Sequence, residues 1–266
     1  MKCNLKSFLL SAGTLLLTMC FNTTYAQKWD DKIIISQCTD QYVMSLDHEN
    51  PIVKNTKRYV YESNSAITVN PETAAFYGEN ITLDDVSGRG MKLYKNITPE
   101  NVFYDDTKAC IIRGYIDKKG GTCKASFERT FKDIKYFTRI YLLEEYFIRD
   151  KTLTITIPKQ LSGYHIKEMN FKGFNIETSH KSTPEGETFT YTLHNADRMK
   201  EDKMMPPISN VYPYLLITGS FSDANALYSW SKEMANVDCT IPNLKELLQE
   251  INAHSKTDED KISNTY

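Results

Sequence analysis

The sequence has 266 residues, of which 41% are hydrophobic and 25% are charged. This composition is typical of a folded globular protein and excludes an intrinsically disordered chain. The 32 basic and 34 acidic side chains give a net charge of -2 and are interspersed along the sequence. Because a duplex-binding surface needs an excess of Lys and Arg in one region, nucleic-acid binding is not expected.

Residues 1–26 have the pattern of a secretory signal peptide. Two lysines precede an uncharged apolar run over residues 8–21, and small residues lead up to Ala26. The run is shorter than the roughly 20 apolar residues of a membrane span. Cys20 follows a methionine where a lipoprotein signal needs a small residue, so no lipid anchor is expected. We predict cleavage after Ala26 and export to the periplasm or the extracellular space, with no transmembrane span.

Alternating apolar and polar residues predict strands through the middle of the chain. Residues 152–157 alternate strictly between Thr and Leu or Ile, and residues 188–194 repeat the pattern. Residues 110–116 and 123–131 flank a glycine turn at residues 117–121, so they are predicted to pair as a hairpin. Further strands are predicted over residues 58–69, 91–95, 137–149, 164–171 and 214–221.

These short strands favour a mainly β fold of antiparallel, sandwich-like sheets. The pattern becomes helical after residue 221, where Ser222 and Thr240 are candidate N-caps of two short helices. The second helix carries an apolar stripe of Leu244, Leu247, Leu248 and Ile251. Residues 257–260 have the form of a capping box, so we expect a third, truncated helix there. The predicted divisions are an N-terminal β region at 27–101, a β domain at 102–221 and a helical segment at 222–266.

Four cysteines follow the expected cleavage site, and they are Cys38, Cys110, Cys123 and Cys239. An even number in an oxidising compartment permits two disulfides with three possible connectivities. The predicted hairpin places Cys110 and Cys123 out of register, which argues against a bond between those two. The connectivity is otherwise left open.

Several segments in the second half of the chain occur in an order that matches one known family. They are Phe103-Tyr104-Asp105-Asp106-Thr107-Lys108, Phe127-Glu128-Arg129-Thr130-Phe131-Lys132-Asp133, residues 136–158, residues 191–213 with Lys203-Met204-Met205-Pro206-Pro207, Tyr228-Ser229-Trp230 and residues 256–262. Together they resemble the β-rich domain of unknown function that precedes a transglutaminase-like core in secreted bacterial proteins. The resemblance implies that residues 256–266 open the first helix of that core. The core's own cysteine, histidine and aspartate would follow and are not in this sequence.

Cys123, His180 and Asp197 form a candidate thiol triad, because residues 121–124 resemble the Gly-x-Cys-Lys setting of transglutaminase-like cores. A catalytic thiolate is normally activated by a helix N-terminus and a nearby histidine. Cys123 instead begins a predicted strand after a glycine turn. We therefore expect it to be a structural thiol or to form a disulfide.

Neither a metal site nor a carboxylate pair is predicted, and no cofactor is expected. The five histidines show no pair at ligand spacing, and they are His48, His165, His180, His194 and His254. Asp84 and Asp85 lie in a polar segment that is expected to be a turn rather than a calcium loop. Glu144 and Glu145 are neighbours in a predicted strand, so they face opposite sides and cannot act as a glycosidase pair.

Aromatic residues leave two interpretations open, because they can form either a ligand surface or part of the core. Tyr59 and Tyr61 share one side of a predicted strand, and Tyr212 and Tyr214 flank a proline. We expect no enzymatic activity and predict an exported accessory module that binds a polypeptide or a glycan. One alternative is a thiol enzyme that uses Cys123. The other is a remnant that exposes its apolar helical stripe and needs a separately encoded transglutaminase-like core.

Overall fold

The computed structural model describes residues 31–48, 50–97, 106–200, 202–219, 223–235 and 243–265. The chain forms two compact units, Met1–Thr218 and Gly219–Tyr266. The expected signal peptide lies outside the described residues. Within the described residues, no helix has both the length and the apolar character that crossing a membrane requires.

The described part of the first unit consists mainly of strands. In chain order they are β1 (Ile33–Asp47), β2 (Asn50–Ser63), β3 (Glu72–Tyr77), β4 (Ile81–Gly88), β5 (Met91–Asn96), β6 (Lys108–Arg113), β7 (Thr122–Phe131), β8 (Arg139–Tyr141), β9 (Phe147–Pro158), β10 (His165–Met169), β11 (Ile176–Thr183), β12 (Gly186–Ala196) and β13 (Tyr214–Thr218). Short 3-10 turns lie at Ile134–Tyr136 and Lys159–Leu161, and the single-turn helix α1 covers Ile208–Val211. The mainly β fold expected from the sequence is confirmed.

The strands form one large sheet and two small ones. The large sheet has seven strands in the order β11-β12-β9-β1-β2-β7-β4, and its neighbours are antiparallel except for the parallel pair β1 and β9. The small sheets are antiparallel and have the orders β10-β13-β8 and β3-β6-β5.

Side-chain alternation decides which face of the large sheet is buried. In β9, Leu153, Ile155 and Ile157 are buried, whereas the threonines between them are only partly covered. Tyr191 and Leu193 are buried on the neighbouring strand β12, as their alternation predicts. Burying each such side chain contributes roughly 1.5–3 kcal/mol, so the pattern fixes the orientation of both strands.

The buried face of the large sheet carries two separate hydrophobic clusters. In the first cluster, Leu153 of the large sheet packs with Leu215 of the β10-β13-β8 sheet. In the second cluster, Tyr61 of the large sheet packs with Ile112 of the β3-β6-β5 sheet. Each small sheet therefore covers its own part of the same face of the large sheet.

The hairpin predicted around residues 117–121 is wrong, although its turn is present. The Gly121 amide donates to the Lys118 carbonyl at 3.0 Å, and Gly120 has a φ of 73°. However, β6 pairs with β3 and β5, whereas β7 pairs with β2 and β4. The turn therefore carries the chain from a small sheet to the large one. Gly114 is required at this crossing, because a Cβ there would overlap the Sγ of Cys123.

Two predicted boundaries also differ from the structure. The strand predicted over residues 137–149 is divided into β8 and β9 by a loop at residues 142–146. Leu142 and Leu143 are buried in that loop, so the apolar run looks continuous in the sequence. The predicted division at residue 101 does not separate two sheets, because the large sheet takes strands from both sides of it.

The described part of the second unit is helical, with α2 (Ala224–Ala235), α3 (Leu244–His254) and α4 (Asp258–Thr265). The capping box predicted at residues 257–260 is confirmed. The Asp260 amide donates to Thr257 Oγ1 at 3.1 Å, and the Thr257 amide donates to Asp260 Oδ2 at 3.0 Å. These reciprocal bonds satisfy amides that the start of a helix would otherwise leave unpaired.

Other predicted features of the helices have mixed outcomes. Ser222 and Thr240 lie outside the described residues. The cap of α2 is supplied by Asp223, whose Oδ1 accepts from the Ala226 amide at 2.9 Å. The stripe residues Leu244, Leu247 and Leu248 are 39%, 48% and 48% exposed. The remnant hypothesis expects this exposure, while the separately encoded core stays a prediction.

Candidate functional site

A row of polar side chains crosses the buried face of the large sheet between the two hydrophobic clusters. This polar row consists of Lys151 on β9, Asp40 on β1, Asn55 and Lys57 on β2, and Arg129 on β7. The strand register aligns its members, because Asp40 lies opposite Lys57 and Asn55 lies opposite Arg129. On each of these strands, residues on one side of the row belong to the first cluster and residues on the other side to the second.

Glu144 joins the polar row from the loop between β8 and β9. Its Oε1 accepts hydrogen bonds from Lys151 Nζ at 2.5 Å and Lys57 Nζ at 2.8 Å, and its Oε2 accepts from the Tyr59 hydroxyl at 3.1 Å. Lys151 is fully buried and also donates to the Leu142 carbonyl at 2.9 Å. One carboxylate therefore holds two ammonium groups at a place where an unpaired charge would be costly.

Asp40 is the second carboxylate of the polar row and is fully buried. Its Oδ1 accepts from Asn55 Nδ2 at 2.8 Å, and its Oδ2 accepts from the Tyr42 hydroxyl at 3.3 Å. The same Oδ2 lies 3.5 Å from Lys57 Nζ. Asn55 Oδ1 in turn accepts from Arg129 Nη2 at 2.8 Å. These contacts and those of Glu144 join four adjacent strands and the loop into one polar network.

Glu144, Lys57 and Tyr59 each have a pKa that lies far from neutral pH. Burial alone would raise the pKa of Glu144, but the Lys151 and Lys57 ammonium groups outweigh it and hold the pKa at about 2. Burial alone would lower the pKa of Lys57, but the Glu144 and Asp40 carboxylates raise it well above its ordinary value. Burial beside Glu144 also raises the pKa of Tyr59. These three groups keep one charge state near neutral pH, which suits positioning better than proton transfer.

A cleft of about 340 Å³ opens beside the polar row. Lys57, Tyr59 and Tyr61 of β2 line it, together with the edge strand β3 and the loop that contains Glu144. Met199 lines it as well, and its amide donates to the Glu144 carbonyl at 2.8 Å. This volume is at the lower end of the range of small-ligand pockets, so the cleft can accept one or two residues or a sugar unit.

Three tyrosine rings form an aromatic surface in the cleft. Tyr59 and Tyr61 are stacked with ring centroids 5.5 Å apart, and the Tyr146 ring meets Tyr61 edge-on at 5.7 Å. Tyr59 and Tyr61 are both buried in the second cluster and both line the cleft. The structure therefore places both residues in the core at the wall of the cleft, and a role in ligand binding stays a prediction. Tyr212 and Tyr214 do not line this cleft.

The candidate thiol triad is not assembled in the structure. Cys123 is buried in β7, and His180 is exposed on β11, where its ring stacks on Phe189. Four strands of the large sheet lie between β7 and β11, which places these strands roughly 24 Å apart at the usual spacing. Asp197 follows β12, the neighbour of β11. Burial also raises the pKa of the Cys123 thiol, opposite to what a nucleophile needs.

Cys38, Cys110 and Cys123 are buried free thiols, and Cys239 lies outside the described residues. The described part of the chain therefore contains no disulfide among these three. Burial raises the pKa of Cys38 to about 12, although the Lys151 ammonium acts in the opposite direction.

We predict that Cys38 reacts with iodoacetamide at pH 8 at least roughly a thousandfold more slowly in the folded protein than in urea. The reason is that burial removes the reactive thiolate. Mass spectrometry of the peptide that contains Cys38 gives both rates. A native rate within about tenfold of the unfolded rate would contradict the buried position of this thiol.

The remaining candidate ligand residues are not brought together. Among the residues that the structure describes, no three His, Cys, Asp or Glu side chains are arranged to hold a metal ion. Asp84 and Asp85 lie in the edge strand β4 rather than in the expected turn, and a register shift occurs between Leu83 and Asp85. Asp84 accepts from the hydroxyls of Thr82 and Thr130 at 2.8 and 2.6 Å. A charged, irregular strand of this kind protects a sheet edge from pairing with other chains.

No family model matches the sequence, and no curated protein matches it. Among solved structures, a proposed protease from Parabacteroides distasonis is similar with a TM-score of 0.57 at 10% identity, covering 88% of this chain and 49% of that protein. A proposed nutrient-binding protein from Legionella pneumophila has a TM-score of 0.42 at 9% identity, and the match covers 87% of this chain and 84% of that protein. An M1 zinc metallopeptidase from Deinococcus radiodurans has a TM-score of 0.36 at 7% identity, and the match covers 70% of this chain and 42% of that protein.

The first of these similarities indicates a shared fold, at an identity too low to transfer function. The chain spans about half the length of the Parabacteroides protein. Fold and site together define a mainly β protein with an ionic network across its largest sheet and a tyrosine-lined cleft beside that network.

Proposed function

We propose that this protein is an exported, non-catalytic binding module that acts as an accessory to a transglutaminase-like protein. The observation that carries the proposal is the cleft itself. Its aromatic rings are packed against a sheet, and Glu144 holds both the Lys57 ammonium group and the Tyr59 hydroxyl in its wall. A rigid cleft of this kind favours recognition, because little order has to be gained when a ligand binds.

The chemistry of the cleft supports binding rather than acyl transfer. The Glu144 carboxylate already accepts from Lys151, Lys57 and Tyr59, so it is not available as a base. Cys123 is buried, and its pKa is raised rather than lowered. Neither group has the environment that covalent catalysis requires.

Two observations support the accessory role. Residues 103–266 resemble a domain that precedes a transglutaminase-like core. The shared fold covers 49% of a proposed protease, so in that protein it accompanies about as much additional chain. We propose that the present module likewise works with a catalytic core and holds a polypeptide or a glycan for it.

The proposal is tested by searching for ligands whose binding depends on the cleft. The purified chain is screened against a random peptide library and against an array of soluble glycans. Met199→Trp places a large ring in the cleft and is expected to weaken a cleft ligand at least about tenfold. Met204→Trp is the matched control, because Met204 is 92% exposed and does not line the cleft. It should leave the affinity unchanged.

The two screens distinguish the ligand classes. If peptides or glycans bind the native protein and Met204→Trp but not Met199→Trp, the result supports a binding module for that class of ligand. If neither screen yields a ligand with this dependence, the proposed function is wrong.

A further inference from the structure

The strand β3 presents an unpaired edge to the cleft. It is the outermost strand of the β3-β6-β5 sheet, so one side of its main chain bonds to β6, and among the residues that the structure describes no strand pairs with the other side. Antiparallel pairing uses the N–H and C=O groups of alternate residues. The residues whose groups point away from β6 can therefore be identified from their neighbours' contacts.

Three contacts identify Glu72, Ala74 and Phe76 as the outward set. The Pro71 carbonyl points towards β6, because it accepts from the Gly114 amide at 2.7 Å. The next amide, that of Glu72, points away and donates to the Tyr146 hydroxyl at 3.1 Å. The Phe76 carbonyl also points away and accepts from Arg129 Nη1 at 3.3 Å. Alternation then places the N–H and C=O groups of Ala74 on the same outward side.

Side chains from the large-sheet side close both ends of this edge and leave its middle open. Tyr146 holds the Glu72 end, and Arg129 holds the Phe76 end. Ala74 lies between them, has an exposed side chain and lines the cleft. The ends are four residues apart, or roughly 13 Å along an extended strand. A short stretch of peptide main chain can therefore pair with the middle of β3. A longer strand from another molecule could not pair along the whole edge, because Tyr146 and Arg129 occupy its two ends.

We infer that the cleft binds an extended polypeptide segment, which adds to the edge of β3 by exchanging main-chain hydrogen bonds with Ala74. This inference rests on the proposed binding function and assigns its ligand class. The N–H and C=O of one residue match the C=O and N–H of an antiparallel partner residue, and this addition is a recurrent mode of peptide recognition. A glycan lacks the regular main chain that would satisfy both groups.

The register also places the ligand's side chains. Thr73 and Ala75 face the large sheet, since Ala75 is buried in the second cluster and the Thr73 side chain hydrogen-bonds Tyr61. In the bound peptide, one residue lies opposite Ala74. The residues before and after it place their side chains on the same face of the sheet as Thr73 and Ala75. Their side chains therefore point towards the rings of Tyr59 and Tyr61, which select which peptides bind.

The test uses the full chain and peptides selected through the dependence on Met199 described above. Ala74→Pro removes the outward N–H and is expected to weaken binding at least about tenfold. Ala74→Ser keeps the N–H at the same position and should bind at least about tenfold more tightly than Ala74→Pro, so the comparison of the two variants isolates the N–H. A proline at this position is tolerated by an edge strand because its N–H faces away from β6. The unfolding midpoint of each variant checks that the fold is retained.

A second measurement removes donors from the peptide and does not depend on how the variant folds. Single N-methylation along the peptide should weaken binding at the residue opposite Ala74 and leave its two neighbours nearly unaffected. If Ala74→Pro and every N-methylated peptide bind normally while Met199→Trp still blocks binding, strand addition is wrong and the binding module stands. If no peptide is found whose binding is weakened by Met199→Trp, the inference that the cleft binds a polypeptide is wrong.

Discussion

Replacing Glu144 by glutamine is expected to lower the free energy of unfolding by about 3–5 kcal/mol. Glu144 is the carboxylate shared by Lys151 and Lys57, and Lys151 is fully buried. The amide of glutamine can accept a hydrogen bond but cannot neutralise either ammonium group. Urea unfolding of the native protein and of Glu144→Gln at neutral pH measures the difference.

Glu145→Gln is the matched control for this substitution. Glu145 is the next residue in the same loop, and its side chain is exposed. Its removal should change the free energy of unfolding by less than about 0.5 kcal/mol. Equal effects of the two substitutions would contradict the assignment of Glu144 as the centre of the network.

Acid is expected to remove the same stabilisation, with a loss of about 3 kcal/mol between pH 4.5 and pH 2. The carboxyl of Glu144 has an ordinary pKa of 4.5 and a folded-state pKa of about 2. Because the pKa is lower in the folded state, the contribution is complete above pH 4.5. It is lost progressively as the pH falls through the folded-state pKa. Urea unfolding at a series of pH values in this interval measures the loss.

The Glu144→Gln variant isolates this contribution from that of the other carboxylates. Those groups titrate in both proteins, so the stability difference between the proteins reports on Glu144. The difference should be largest above pH 4.5 and should shrink towards pH 2. A difference that does not change over this interval would show that Glu144 is not held ionised by Lys57 and Lys151.

Local patterns in the sequence predict several elements of this fold well. The alternation in residues 152–157 identifies the buried side of β9, and Met91 begins both a predicted and an observed strand. The capping box at residues 257–260 forms the predicted bonds. In each case the signal lies within a few neighbouring residues, and local geometry alone decides the outcome.

Partner choice between strands could not be predicted in the same way. The glycine turn before β7 correctly indicates a change of chain direction. The sequence around it does not show that β7 pairs with β2 and β4, which lie far away along the chain. Such pairings depend on non-local packing, and a local turn signal carries no information about them.

The polar row is the main feature that the sequence analysis misses. Strand β1 was not predicted, because Asp40 interrupts the inward alternation of Cys38, Tyr42 and Met44. Lys151 similarly looks like a surface residue in the sequence, although it lies two residues before Leu153 and so points to the same, buried face of the sheet. Asp40 and Lys151 can be buried only because groups from another strand or loop form hydrogen bonds or ion pairs with their side chains. A charged residue at an inward strand position is the signal that would have pointed to the network.

The candidate site was predicted only in part. The side shared by Tyr59 and Tyr61 is correctly identified, and both residues line the cleft. Glu144 is predicted to lie on a strand beside Glu145, whereas it lies in a loop and binds two lysines. The cleft also requires the edge of β3, which is not predicted as a strand.

Hydrogen exchange at the Ala74 amide tests the central claim most directly. Without a ligand this amide faces the cleft, so it should exchange rapidly. A bound peptide that adds to β3 should slow its exchange at least about tenfold. The neighbouring Ala75 amide points towards β6 and should change little. If the exchange of Ala74 stays the same when the peptide saturates the protein, the cleft does not bind polypeptides by pairing with β3.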